Sequence, residues 1–306
     1  LYDAMKLDPS IYLFGEGAHI KVHYDYPDIE KDFSDRLLTL PIAEDGSVNF
    51  AVGASLLGVK PVVNLITADF SFRAMDSICN TAAKLNFVLP DSEPRRTIVI
   101  QAEFLTAGPT TGQRVEALFA HVPGLNVVSP STPNDAYGLM RTALITPDAP
   151  IFLEDRMRMD SETQPKDTDG LGPWAIPFGE AIVRRRPENP KVTVVTYGLM
   201  RQVVELELEE AQDDTATLID LRTLYPIDWQ LLFASTHWTG KLLIVEPDVL
   251  YGGIGAELAA TVAERRPGTI IRRLGAPRET IPASREGQGR MLPSREQILE
   301  AIRGIL

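Results

Sequence analysis

Few residues of this chain have a type and placement that suggest chemistry: three acids at the ends of elements, one phenylalanine, one glycine-bearing loop and four histidines. Glu44 and Asp45 open a helical run that continues to Leu57, and Glu16 follows directly on the first predicted strand. A carboxylate in such a place can hold or hand over a proton. The local sequence around Glu44 by itself favours a plainer reading, an acid set at a helix N-terminus by the macrodipole. Glu16 reads equally as a solvated loop acid. Phe70 ends a predicted strand, where open α/β sheets place their ligands, so its ring is either a stacking surface or a core residue. His19 and His23 fall in the loop after the first strand, where each could enter a cleft or simply be solvated, and His121 on a helix reads as structural. The lone Cys79 excludes a disulfide within the chain, and no Cys or His spacing suits zinc. Gly252-Gly253-Ile254-Gly255 lacks the full dinucleotide fingerprint, which argues against a nucleotide site there.

Short β-rich runs at 11–15, 60–66, 97–101, 126–130 and 150–154 alternate with longer helical patterns, which predicts parallel sheets covered by helices. Residues 70–87 carry apolar side chains close to helical spacing and are expected to pack one face on the sheet. The rhythm breaks at about 156–178, a polar stretch rich in Gly and Pro that reads as a linker. It restarts with strands at 192–197, 218–221 and 242–245 and helices near 200–211 and 254–265. The expected fold class is α/β with two domains, 1–170 and 179–306, each a mostly parallel sheet flanked by helices.

The 306 residues are 44% hydrophobic and 24% charged, enough for a substantial core without staples. A net charge of −12, with only short basic runs at 184–186 and 272–273, argues against nucleic acid, whose binding needs a clustered positive surface. No stretch approaches the ~20 apolar residues of a membrane span. Residues 1–6 lack a signal-peptide pattern and read as the tail of a helix that begins earlier. A reducing, cytoplasmic location is expected.

Leu13-Phe14-Gly15-Glu16, then Pro41-Ile42-Ala43-Glu44-Asp45-Gly46 leading to Phe50-Ala51-Val52-Gly53-Ala54, resembles the β subunit of the 2-oxo acid dehydrogenase first component. Lys60-Pro61-Val62-Val63, Ala68-Asp69-Phe70, Ala82-Ala83-Lys84, His121-Val122-Pro123-Gly124-Leu125 and Phe152-Leu153-Glu154 continue the likeness in family order. Val194-Val195-Thr196-Tyr197-Gly198 and Gly252-Gly253-Ile254-Gly255-Ala256-Glu257 extend it through the second half. The resemblance implies a transketolase-like pyrimidine-binding domain followed by a transketolase C-terminal-like domain, and thiamine diphosphate as cofactor. It implies that Glu44 hydrogen-bonds a ring nitrogen of the aminopyrimidine, favouring the tautomer that deprotonates the thiazolium carbon. Phe70 would stack on that ring, and Glu16 would offer a polar contact near the thiazolium. Thiamine-diphosphate enzymes hold the diphosphate through magnesium on a Gly-Asp-Gly motif with a downstream Asn-Asn, and nothing of that form occurs here. An α-type partner is therefore expected to hold the diphosphate and Mg²⁺, in an α₂β₂ heterotetramer.

The sequence departs from the family in one loop. Gly108-Pro109-Thr110-Thr111-Gly112-Gln113 puts Thr111 where the family has a catalytic histidine, and a hydroxyl cannot exchange protons near neutral pH as imidazole does. His19 is a candidate to fill that role. The expected activity is formation and transfer of an acyl or ketol carbanion equivalent, by 2-oxo acid decarboxylation, with an acceptor other than lipoamide. Transketolase-like ketol transfer from a ketose, or a degenerate scaffold subunit, are the alternatives.

Overall fold

The computed structural model describes residues 1–15, 27–104, 108–155 and 175–306. Glu16, His19, His23 and residues 156–174 of the expected linker lie outside the described residues. The first sheet contains β1 (Ile11–Gly15), β2 (Leu37–Thr39), β3 (Lys60–Thr67), β4 (Val99–Glu103), β5 (Leu125–Val128) and β6 (Ala149–Glu154). The second contains β7 (Ile182–Arg185), β8 (Val192–Thr196), β9 (Ala216–Asp220), β11 (Lys241–Val249) and β12 (Ile270–Ala276), while β10 (Thr223–Tyr225) leaves it to join the first.

The first sheet runs β10-β5-β6-β4-β3-β1-β2, parallel except where β10 meets β5. The second runs β12-β11-β8-β9-β7, antiparallel only at β7. Central strands such as β4 and β8 are buried along their whole length, as a parallel sheet covered on both faces requires. The strands anticipated at 11–15, 60–66, 97–101, 126–130, 150–154, 192–197, 218–221 and 242–245 all form, within a few residues of their expected ends.

Residues 68–88 differ from the regular helix expected at 70–87. A 3₁₀ segment (Ala68–Ala74), a π turn (Ser77–Thr81), a second 3₁₀ turn (Ala82–Lys84) and a short α-turn (Leu85–Val88) follow one another. Buried hydroxyls help explain this. Ser71 donates to the Ala68 carbonyl at 2.5 Å and Ser77 to that of Ala74 at 3.0 Å, and such local bonds compete with the helical ladder. Phe72, expected on the packed face, is instead 41% exposed.

The domains share one core. Its largest cluster includes Val63 and Ile100 of the first sheet, Tyr197 and Leu221 at the junction, and Leu242 and Leu258 of the second domain. Two polar clusters join the halves. In the first, Arg184 of β7 pairs with Asp220 and with Asp135, and Arg222 reaches Asp135 at 3.4 Å. Asp135 belongs to the helix α1 (Pro133–Ile145), whose N-terminus Thr132 caps.

In the second cluster, Arg114 donates to Asp155 at 2.6 Å and to Glu116 at 3.4 Å, and lies 4.0 Å from the Phe104 ring centroid. Asp155 also accepts from the Leu199 N–H at 2.9 Å, at the start of the helix α2 (Leu199–Glu210), where acids are favoured. Tyr197, Glu246 and Asp248 of the second domain complete the surroundings. Burial disfavours charge on Arg114, but Asp155 and Glu116 outweigh it and hold the guanidinium firmly protonated. Arg114, with Arg273 acting on Glu246, does not balance so many acids. Burial pushes Glu116 up to about 8, with Arg114 opposing and Asp248 adding to the rise. Burial likewise lifts Glu246 to about 7, against the pull of the Gly255 N–H.

Both carboxyls are raised above the usual 4.5, so their contribution to stability is fully present below that value and is lost as pH climbs towards about 8. The urea midpoint is expected to fall across this window, and Glu116→Gln is expected to flatten the fall. An identical pH profile for the variant would show that Glu116 does not carry the effect.

Candidate active site at the first sheet's switch point

Strand order reverses between β1 and β3, since the chain leaves β1 towards β2 on one side and continues from β3 to β4 on the other. Open α/β sheets bind ligands beyond the C-terminal ends of the strands at such a crevice. Gly15 ends β1 there with φ +144°, and a Cβ on it would stand 2.3 Å from the Asn64 carbonyl oxygen. Only glycine fits that approach. Opposite it, the β3–β4 register shifts between Asn64 and Thr67, and Ile66 takes φ 64°, a costly conformation for a β-branched residue. The Asn64 side chain steadies the turn by accepting the Ile66 N–H at 2.7 Å.

The turn delivers Asp69 and Phe70 in the 3₁₀ segment that follows β3. Phe70 is half-buried. Asp69 is 6% exposed and its Oδ1 accepts from Gln113 twice, from Nε2 at 2.7 Å and from the backbone N–H at 3.3 Å. Burial raises its pKa, with the two Gln113 bonds opposing. These bonds tie the Phe70 segment to the loop that contains Thr111. Arg114, next in sequence, anchors the loop's other end in the interdomain cluster.

Glu44 is the first residue of a 13-residue helix, Glu44–Leu56, whose N-cap Ala43 makes no side-chain cap. The helix buries Ser47, Val48, Ala51, Val52 and Ser55, and packs on β3 and on the segment that carries Phe70. Glu44 is partly exposed, and among the described residues its carboxylate has neither a hydrogen bond nor an ion pair. Around it Ile42 is 84% exposed and Phe50 49%, the latter edge-on to Phe14 at 5.2 Å.

Thr111 is partly buried in the turn of the 108–113 loop. His121 is exposed at the end of the helix Glu116–Ala120, and His237 is exposed on the helix Trp229–Thr239, so neither belongs to this loop. Among the described residues no group of His, Cys, Asp and Glu is arranged to hold a metal, and no helix is long and apolar enough to cross a membrane.

Gly252–Gly255 proves to be a close-packing element. Gly253 caps the helix Ile254–Arg265, the Gly255 N–H donates to Glu246 at 2.8 Å, and a Cβ on Gly255 would meet the same carboxylate at 2.4 Å. The chain's own acid occupies the helix N-terminus, where a nucleotide phosphate would sit.

Sequence reasoning missed the Asp69–Gln113 bond and the strain at Ile66. Both acid and amide lay in recognised motifs, but nothing local signals that residues 44 positions apart meet.

Residues 4–160 match the family described as "Transketolase, pyrimidine binding domain", and residues 179–298 match "Transketolase, C-terminal domain". Among curated relatives, the chain is 31% identical to 2-oxoisovalerate dehydrogenase subunit beta 2, mitochondrial, of Arabidopsis thaliana, over 99% of this chain and 86% of that protein. It is 32% identical to the acetoin:2,6-dichlorophenolindophenol oxidoreductase subunit beta of Cupriavidus necator, covering 98% and 92%. With the pyruvate dehydrogenase E1 component subunit beta of Rickettsia felis it shares 30% identity, covering 100% and 95%. A solved structure titled "Split gene transketolase, inactive beta4 tetramer" superposes with a TM-score of 0.82 at 22% identity, covering 100% of this chain and 94% of that one, a likeness of fold. With both domains matched and near-full-length identity of this order, the chain belongs to the thiamine-diphosphate-dependent 2-oxo acid dehydrogenase β-subunit family, on a transketolase-like fold.

Proposed function

We propose that Glu44 and Phe70 form the aminopyrimidine-facing half of a thiamine diphosphate site that an α-type subunit completes. The observation that carries this reading is the partly exposed Glu44 carboxylate, unpaired among the described residues, on a helix packed against the Phe70 segment beside the switch point. A carboxylate left without a partner suits a ring nitrogen, and a half-buried phenyl ring suits an aromatic face. When bound, the cofactor supplies the carbon nucleophile that attacks a 2-oxo acid. Glu44 holds the proton shared with the ring, Phe70 orients the ring, and Asp69 with Gln113 keeps Phe70 and the Thr111 loop in fixed relation. The family resemblance gives Glu16 a polar contact near the thiazolium and leaves His19 a candidate for the role of the missing histidine; both lie outside the described residues.

The diphosphate has no such provision among the described residues, and Mg²⁺ and its ligands are assigned to the α-type partner in an α₂β₂ assembly. The exposed Ile42 and Phe50, beside Glu44, offer that partner an apolar contact. The free Cys79 suits a reducing, cytoplasmic setting.

Three outcomes follow. The chain alone is expected to bind thiamine diphosphate weakly in titration calorimetry, and micromolar, magnesium-dependent binding would overturn the two-subunit reading. In the assembled complex, Glu44→Gln is expected to slow hydrogen–deuterium exchange at the thiazolium carbon by on the order of 10²-fold, the scale of an acid–base group. An unchanged exchange rate removes Glu44 from the chemistry. Thr111 supports a second reading, in which lipoamide is a poor acceptor and an aldehyde, ketone or carrier-bound thioester is the better one. Single-turnover acyl transfer to a lipoyl domain is then slow in the native complex and faster in Thr111→His. Fast native transfer, unchanged by the substitution, defeats that reading.

A further inference from the structure

A cleft of about 400 Å³ opens between the 109–114 loop of the first domain and three segments of the second, near residues 247–249, 276–281 and 288–292. That size falls within the range of about 300 to 1,000 Å³ usual for small-molecule sites. Its walls divide by chemistry. Val249, Met291 and Leu292 give apolar surface, with Met291 buried. Arg278 and Glu279 stand at the exposed rim, and among the described residues neither makes an ion pair. The Arg278 guanidinium is steered by the Tyr251 ring, 5.5 Å from its centroid. Asp248, which lines the same cleft, is 5% exposed, with Oδ1 accepting from the Val249 N–H at 2.7 Å. Arg114 also borders the cleft, but Asp155 and Glu116 already engage it.

An occupant that satisfies this rim must carry both signs of charge. A simple anion would pair with Arg278 while facing Glu279 and Asp248, and a simple cation would leave Arg278 unanswered. The apolar wall calls for a short hydrocarbon group. We propose that the cleft binds an α-amino acid with an aliphatic side chain, its carboxylate on Arg278, its ammonium towards Glu279 and Asp248, and its side chain on Val249, Met291 and Leu292. Gln113 forms part of the same cleft and also grips Asp69 beside Phe70, so an occupant touches the loop that carries Thr111. Binding itself does not rest on the cofactor reading, because it needs neither Glu44 nor a partner subunit.

Titration calorimetry on the full chain, without cofactor, tests the proposal with three probes of one carbon skeleton: L-leucine, 4-methyl-2-oxopentanoate and 3-methylbutan-1-amine. Leucine is expected to bind saturably, with the 2-oxo acid and the amine each weaker by about tenfold or more, as loss of one charge-assisted bond implies. Arg278→Ala and Glu279→Gln should each cost a loss of similar size. Both residues are exposed, so thermal melts should stay unchanged and separate lost binding from lost folding. The proposal is overturned by absent leucine binding at millimolar concentration, by a 2-oxo acid or amine that binds as tightly as leucine, or by leucine binding indifferent to either substitution.

Discussion

One buried guanidinium holds the working parts of this protein together. Arg114 sits among Asp155, Glu116 and Asp248 where the two domains meet, and its neighbour Gln113 binds Asp69 in the segment that carries Phe70. Removing a charge from water is costly, and a buried pair repays that cost only with good geometry and further hydrogen bonds. Here the geometry is supplied by a 2.6 Å contact to Asp155 and by the Phe104 ring beneath the guanidinium. Because the buried acids outnumber the cations near them, Glu116 is pushed up to about 8 and Glu246 to about 7, and the cluster keeps protons at neutral pH that isolated carboxylates would release. The loop bearing Thr111 is thus held by an arrangement whose charge depends on both domains.

The site itself stores strain of a different kind. Gly15 lets β1 press against Asn64, and Ile66 accepts a left-handed backbone so that Asp69 and Phe70 leave β3 in a tight 3₁₀ turn. Such backbone persists only where the surroundings over-determine it, and it concentrates at functional sites. The Asn64 side chain and the Asp69–Gln113 bonds are those surroundings. Glu44 reaches the same region from a helix whose buried face fits β3, and its carboxylate has no partner among the described residues.

The domain boundary is less clean than the linker in the sequence suggests. β10 follows β9 in the chain yet pairs antiparallel with β5 of the first sheet, and Arg222, with φ 60° just before it, reaches both Asp135 and the Glu180 carbonyl. The second domain is clamped on the first by a shared core and two charge clusters. Amino-acid composition cannot announce this, since each half reads as an α/β unit in its own right.

The alternation of strands and helices, the restart after residue 178, and the placement of Glu44 at a helix start and Phe70 just past a strand are all legible in the sequence. These depend on periodicity and turn chemistry within a few residues, which a linear reading can see. It misjudged 68–88, where buried serine hydroxyls bonding three residues back broke up a pattern that looked evenly helical. Tertiary structure alone decided that Gln113 meets Asp69 across 44 positions and that Arg114 meets Asp155 across 41. It alone decided that Arg278 and Asp248 border the cleft which Gln113 lines. Charge pairing and cavity shape are set by which distant side chains share a small volume after the sheets assemble, and no local pattern of residue types carries that information.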